Sequence, residues 1–469
     1  MRGCSVRFVR CVAQFNLTHF LAAKAWLLQA AFADINIAKD SSVYHWLDQE
    51  KHMSSPSKIL LFAPAAYNLA ETTRMLEIAK GVAGNDRARE VFQIQFASEG
   101  GRFEKLIEDQ GFSLKRIEPR ITDEKIAHIL AINDEEKFGS AYTGKEMIAK
   151  VRGDIDYLNQ IKPAAVVTGS YMSMPVACQV TGTPLVWVVQ STWSELFFST
   201  GAGITDGIRF GSVKRLVDFV LFWAIRFWMW YGFIRPVNTA ARHFGVTEYK
   251  PVFTYFRGDI TLVAEPSEFT DAELPENHFY IGPLIANQDF PVPPEVEAVE
   301  HDLPLVYFAM GSSGVGSIVA EIIESFRGEP YRVIAPVKGL LNDFHDLDIP
   351  PNVMVTDWLP ALKVSKMADV SVIHGGIGTV MTAALTGKPV VGIGMHVEQR
   401  ANLACLVRKG IAIRLPKNGN LPVRLRTAIR TQLNNSEAKR KAEAFSKCMQ
   451  SWNGPQRAAE ILLEKFGRS

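Results

Sequence analysis

Apolar positions follow two rhythms in this chain, and from residue 58 onward the two alternate. Short apolar runs such as Ile59–Pro64, Ala164–Thr168 and Leu185–Val189 read as strands, as does Val91–Ala97, where Gln93 and Gln95 alternate with apolar residues. An unbroken run is what a strand covered on both faces by helices requires. Between Ile59–Pro64 and Val91–Ala97, Leu69, Thr72, Leu76, Ala79 and Val82 recur every three or four residues and predict a helix. A helix over Gly101–Gln110 and a short strand at Ser113–Ile117 follow, with later strands at 259–264 and His278–Gly282. Strand and helix in alternation mark a parallel α/β sheet.

The alternation breaks at Asn287–Ala298, where prolines and acidic residues have the composition of a linker. It restarts at Leu305–Met310 and runs through Tyr331–Ala335, Val353–Val355, Val370–Ile373, Pro389–Ile393 and Ile411–Leu415. The predicted organisation is a leader over 1–56, a Rossmann-like domain over 57–286, a linker over 287–300 and a second Rossmann-like domain over 301–440. A helical segment over 441–469, broken by Gly454 and Pro455, completes it. The fold class is α/β, two doubly wound domains facing a cleft. Open parallel sheets bind ligands outside the carboxyl ends of their strands, so each domain would hold one ligand.

Two segments depart from this pattern. Residues 1–33 carry basic but no acidic side chains around an apolar stretch, as a targeting segment does. The alternative is an upstream extension, because Met53 stands just before the first strand; residues 1–52 are expected to take no part in the fold. Leu216–Ile234 is rich in Phe, Trp and Tyr, but Asp218 and Arg226 interrupt it. It falls short of the roughly 20 apolar residues that span a bilayer. It reads as a buried helix or as one lying on a lipid surface.

A length of 469 residues with 47% apolar and 21% charged residues fits two globular domains. The net charge of +2 gives no reason to expect nucleic acid as a partner. Five scattered cysteines without a CxxC pair argue against a disulfide framework or zinc site and fit a reducing, cytoplasmic setting.

The chemistry concentrates in Val370–Ile393, continued by Glu398, Gln399 and Asn402. A strand ends at Ile373, His374-Gly375-Gly376 makes the turn, and Gly378-Thr379 opens a helix that stops at Gly387. Glycines let backbone N–H groups approach an anion, and a helix start adds roughly half a positive charge. With a His374 nitrogen and the Thr379 hydroxyl as further donors, this is a diphosphate cradle without lysine.

The segment resembles the signature box of the UDP-glycosyltransferases, above all their bacterial natural-product, macrolide-type branch with the GT-B fold. Trp358-Leu359-Pro360, His374-Gly375-Gly376-Ile377-Gly378-Thr379, Gly387-Lys388-Pro389, Glu398-Gln399 and Asn402 follow that pattern in order and spacing. Phe308–Gly314 and Gly454–Ala459 extend the likeness. The resemblance implies that Trp358 lies against the nucleobase and that His374, Gly375, Gly376, Gly378 and Thr379 hold the diphosphate. It implies that Ser312 and Ser313 approach the diphosphate from the opposite loop, and that Glu398 and Gln399 bond hydroxyls of the donor sugar. The first domain would bind the acceptor, and the last helix would return to it.

Three positions depart from the pattern. The glutamate that holds the ribose falls at Thr382, and the glutamine after Trp-x-Pro is Ala361. The histidine that serves many relatives as general base falls near Ala66, leaving Glu71 as the nearest titratable candidate. At a helix start its pKa should be lowered.

The expected reaction is inverting transfer of a hexose from a nucleotide diphosphate sugar, a UDP sugar by the resemblance, without metal or cofactor. The aromatics Trp187, Trp193, Phe197 and Phe198 and those of 219–233 point to a small apolar acceptor, with core packing as the other reading. Peripheral membrane contact stays open. A nucleotide-sugar epimerase and a non-catalytic nucleotide-sugar-binding accessory protein are the rival readings. Gly311-Ser-Ser-Gly-Val-Gly316 has the wrong glycine spacing for a dinucleotide site.

Overall fold

The computed structural model describes residues 58–133, 137–193, 211–286, 291–300, 302–311, 315–417 and 419–467. The leader, Ser312, Ser313 and the side chains of Trp193, Phe197 and Phe198 lie outside the described residues.

Seven strands form the first sheet: β1 (Lys58–Phe62), β2 (Phe92–Ser98), β3 (Leu114–Arg116), β4 (Ala165–Thr168), β5 (Leu185–Val189), β6 (Ile260–Val263) and β7 (His278–Tyr280). Their order is β3-β2-β1-β4-β5-β6-β7. The second sheet holds β8 (Leu305–Ala309), β9 (Arg332–Ala335), β10 (Val353–Val355), β11 (Val370–Ile373), β12 (Val390–Ile393) and β13 (Ala412–Leu415). Its order is β10-β9-β8-β11-β12-β13. All pairings are parallel, with Leu60 opposite both Ile94 and Ala165 and Ile373 opposite both Ala309 and Gly392. The expected fold class is borne out, and both sheets reverse direction at one place, between β1 and β4 and between β8 and β11. Such reversals open a crevice at the carboxyl ends of the strands.

Period-two alternation divides β1 between the two faces of its sheet. Leu61 packs with Val166 and Trp187 on one side, where α2 (Gly144–Ile161) lies, and Leu60 and Phe62 pack with Met75 and Ile78 of α1 (Leu69–Gly84) on the other. Trp187 is fully buried against Tyr255 and Phe256, which settles it as core and removes it from the acceptor surface. The helix expected over Gly101–Gln110 shortens to Glu104–Asp109. Gly100 and Gly101 take φ of +133° and +132°, and a Cβ on Gly101 would stand 2.3 Å from the Ala66 carbonyl carbon, so this stretch must stay a loop.

The aromatic segment forms α3 (Gly211–Met229), which runs on through 230–234. Among the described residues no helix is long and apolar enough to cross a membrane. In the second sheet, α4 (Ile377–Thr386) follows β11 and α5 (Val397–Arg408) follows β12. After α6 (Ser436–Gln450), α7 (Gly454–Phe466) reaches the first sheet, where Ala458, Ile461 and Leu462 join the cluster of Leu60 and Met75. The Cα of Gly81 on α1 admits this approach: a Cβ there would meet the Pro455 carbonyl oxygen at 2.2 Å.

Candidate active site

The turn after β11 is built by elimination of side chains. Gly375 has φ +92°, and a Cβ on it would strike the Gln399 carbonyl at 2.7 Å and the Leu403 side chain of α5. Gly376 caps α4, and among the described residues no side chain bonds the amides of its first turn. Those amides therefore remain available to an anion, which the helix dipole favours. Gly378 is exposed, and a Cβ there would meet nothing within 4 Å, so the helix start opens onto free space. The helix begins at Ile377, one residue earlier than expected, and ends on Gly387 in the left-handed conformation.

His374 is clamped between this turn and the turn after β8. A Cβ on Gly311 would lie 2.4 Å from its Cε1, and one on Gly376 would lie 2.5 Å from its Nε2. Burial lowers its pKa to about 4, against the opposing pull of the Ala309 carbonyl. The ring is neutral near pH 7 and acts as one N–H donor and one acceptor, and among the described residues its Nδ1 meets no group in hydrogen-bonding geometry. Thr379 Oγ1 donates to the Gly376 carbonyl at 2.8 Å, and Thr382 Oγ1 donates to the Gly378 carbonyl at 2.8 Å. Trp358, in the loop after β10, lies at the same end of the sheet and is 55% exposed.

At the reversal of the first sheet the chemistry is different. Asn68 caps α1 by accepting the Glu71 N–H at 3.2 Å, which sets Glu71 in the first turn. The Glu71 carboxylate is fully buried and pressed on the loop after β4, where a Cβ on Gly169 would lie 2.6 Å from both carboxylate oxygens. Oε2 accepts from Arg74 at 3.1 Å, and among the described residues Oε1 has no partner of hydrogen-bonding geometry. The pKa lowering expected of a helix start is overturned. Burial raises the Glu71 pKa, outweighing Arg74 and the Gly169 and Ser170 amides. Tyr67 beside it is driven up as well, by burial and by Glu99 and Glu71, which removes it as a base near neutral pH.

Loops at the carboxyl ends of the two sheets meet. Gln190 Nε2, just past β5, donates to Glu398 Oε1 of α5, and Asn402 Nδ2 donates to the same oxygen at 2.8 Å. Asn402 Nδ2 also reaches the Gly375 carbonyl at 3.1 Å, so one amide ties Glu398 to the glycine turn. Burial raises the Glu398 pKa, and Arg74 is among the groups that oppose the rise. The Arg74 guanidinium thus acts on both Glu71 and Glu398. Gln399 differs from its neighbour: its Oε1 accepts the Met395 N–H at 2.8 Å and holds the start of α5.

Four residues that sequence reasoning passed over stand at these same ends. Arg74 and Gln190 are two. Glu265, past β6, is fully buried with its pKa raised to about 7 by burial, and it accepts from Ser191 N at 3.2 Å and Thr270 Oγ1 at 3.3 Å. His396, the cap residue of α5, has its pKa lowered to about 4 by burial and then by the nearby His374, Arg400 and Lys417. Their only common signal was positional, a polar residue within a few positions of a strand's carboxyl end or near the start of the helix that follows. Among the described residues no group of three or more His, Cys, Asp or Glu is arranged to hold a metal ion.

Residues 340–465, which include the glycine turn and α7, match the Erythromycin biosynthesis protein CIII-like, C-terminal domain family. Fold and match together define the class, a glycosyltransferase of the GT-B fold. The resemblance read from the signature segment is thereby borne out. The chain is similar to a PGL/p-HBAD biosynthesis glycosyltransferase of Mycobacterium tuberculosis, 27% identical over 82% of this chain and 88% of that one. It is also similar to a PGL/p-HBAD biosynthesis rhamnosyltransferase of Mycobacterium bovis, 23% identical over 87% of this chain and 89% of that one. In fold it matches spinosyn rhamnosyltransferase complexed with thymidine diphosphate, with TM-score 0.60 and 13% identity over 87% of this chain and all of that one.

Proposed function

We propose that the protein transfers a hexose from a nucleoside diphosphate sugar to a hydroxyl of a small apolar acceptor, inverting the anomeric centre in one displacement. The observation that carries this reading is the pairing of two switch points across one set of loops. One has an uncapped helix start and a neutral imidazole, and the other has a buried carboxylate of raised pKa. Negative charge builds on the leaving diphosphate as the glycosidic bond breaks, and in this reading the α4 amides and His374 bond it. The proton of the acceptor hydroxyl needs a base on the opposite side, and Glu71 supplies a carboxylate there. Glu398, held by Gln190 and Asn402, stands between them, where a donor sugar would expose its hydroxyls.

A uridine donor follows from the signature segment. Thymidine diphosphate in the spinosyn rhamnosyltransferase makes a thymidine donor the second candidate. The test is to incubate the full chain with uridine and thymidine diphosphate sugars and a panel of apolar alcohols and phenols, with products read by mass spectrometry. The expected result is a glycosylated acceptor. Epimerised donor without transfer assigns the protein as an epimerase instead, and donor binding without turnover leaves a non-catalytic accessory protein.

A further inference from the structure

Helix α3 carries large apolar residues on both of its faces, and among the described residues only one face packs into a core. Inward, Phe222 stacks on Phe253 with ring centroids 6.2 Å apart, and Ile225, Trp228 and Met229 join the core of the first domain. Outward, Leu216, Phe219, Val220, Trp223, Phe227 and Trp230 follow one another at helical spacing, each between 40% and 65% exposed. Phe138, from a different part of the chain, adds to this face by stacking on Tyr231 and Phe227, with centroids 5.0 Å and 6.4 Å away. A helix apolar all round is ordinarily buried all round, and contiguous exposed apolar patches of this kind mark contact surfaces.

Charge identifies the occupant. Residues 211–235 hold Lys214, Arg215, Arg226 and Arg235 against Asp218 alone. The Arg226 guanidinium lies 5.2 Å from the ring centroids of Phe222 and Trp223, and that of Arg235 lies 4.6 Å from Tyr231. Tryptophan and tyrosine rings edged by arginine match the boundary of a bilayer, where rings enter the acyl region and guanidinium groups stay with headgroup phosphates. We propose that α3 with Phe138 docks the protein on an anionic membrane surface, lying in the interface and not crossing it. The inference does not depend on the transfer reaction, because docking is read without donor or acceptor.

The test is flotation of the full chain with vesicles of phosphatidylcholine alone and of phosphatidylcholine mixed with phosphatidylglycerol. The parent should float with the mixed vesicles and much less with the neutral ones. F219S/W223S/F227S should lower its partition by about tenfold or more, since each substitution removes an inserted ring. R226E/R235E should abolish the preference for the mixed vesicles. Nucleoside diphosphate affinity, measured by calorimetry on every variant, should stay at the parent value and certifies the fold. A parent that does not float overturns the proposal, as does a triple variant that floats equally well. Sedimentation velocity adds a third arm: a parent dimer that the triple variant dissolves assigns the face to a second copy of this chain and overturns it too.

Discussion

The two sheets share a strand order and carry opposite chemistry where that order reverses. Behind β8 and β11, among the described residues, Gly311, Gly375, Gly376 and Gly378 leave bare backbone beside one neutral imidazole, an environment that favours an anion. Behind β1 and β4 a carboxylate has been driven inward, and burial raises its pKa above the ordinary carboxylate value. One topology thus carries a helix start that favours an anion at one reversal and a buried carboxylate at the other. Side chains at the crevice, and not the crevice itself, divide the labour.

The largest expected effect comes from removing basicity on the carboxylate side. Glu71→Gln keeps shape and burial, and should lower transfer to an aliphatic alcohol by about 10²- to 10⁴-fold. Donor affinity should not change. A phenol acceptor, which ionises with less help, should recover much of the rate. Transfer to the alcohol at the parent rate would falsify the assignment of Glu71 and erase the contrast between the two switch points.

Removing the donor on the other side should cost less, since the α4 amides remain. His374→Ala is expected to lower turnover by about one to three orders of magnitude and to weaken nucleoside diphosphate binding. Calorimetry separates it from Glu71→Gln, for only the histidine variant should change diphosphate affinity. If both variants change it equally, the two reversals do not divide the work.

A smaller effect is expected at Thr382. Its hydroxyl is turned back on the Gly378 carbonyl and cannot chelate a ribose as a glutamate would. Thr382→Glu should tighten uridine diphosphate by about tenfold, the scale of one charge-assisted hydrogen bond. A parent that already selects uridine over thymidine by orders of magnitude would mean that another group holds the ribose.

Much of this was legible in the sequence, and the reasons differ by region. The unbroken apolar runs announced both parallel sheets because strands buried on both faces cannot alternate. The glycine turn was legible because close backbone approach tolerates no other residue, as the 2.4–2.7 Å approaches of built Cβ atoms at Gly311, Gly375 and Gly376 confirm. The state of Glu71 was not legible. A local rule about helix starts lowers its pKa, whereas the loop of Gly169, about 100 residues away in the chain, buries it. Glu265 and Gln190 were missed for the same reason: their burial comes from elements far away in sequence. Trp187 was open to two readings, which only its contacts with Tyr255 and Phe256 resolve.

The smallest effect sharpens the comparison in thermodynamic form. Glu265, at the carboxyl end of the first sheet, has a folded pKa of about 7 against an ordinary value of 4.5. The folded protein therefore holds a proton that the unfolded chain has lost in that window. Its contribution to stability is fully present below pH 4.5 and is lost as pH rises through about 7. His374, at the carboxyl end of the second sheet, has a folded pKa of about 4 against 6.5. Here the unfolded chain binds the extra proton, so the contribution is present above pH 6.5 and is lost as pH falls through about 4. Melting temperatures of the parent, Glu265→Gln and His374→Asn should be taken across the acid-to-neutral range. Relative to the parent, Glu265→Gln should gain as pH rises toward 8, because a buried carboxylate no longer has to ionise, and His374→Asn should gain as pH falls toward 4. Curves that stay parallel to the parent for both variants would mean that neither group is as deeply buried as its place behind the strands requires. Curves that bend in the same direction would contradict the opposite chemistry of the two sheets.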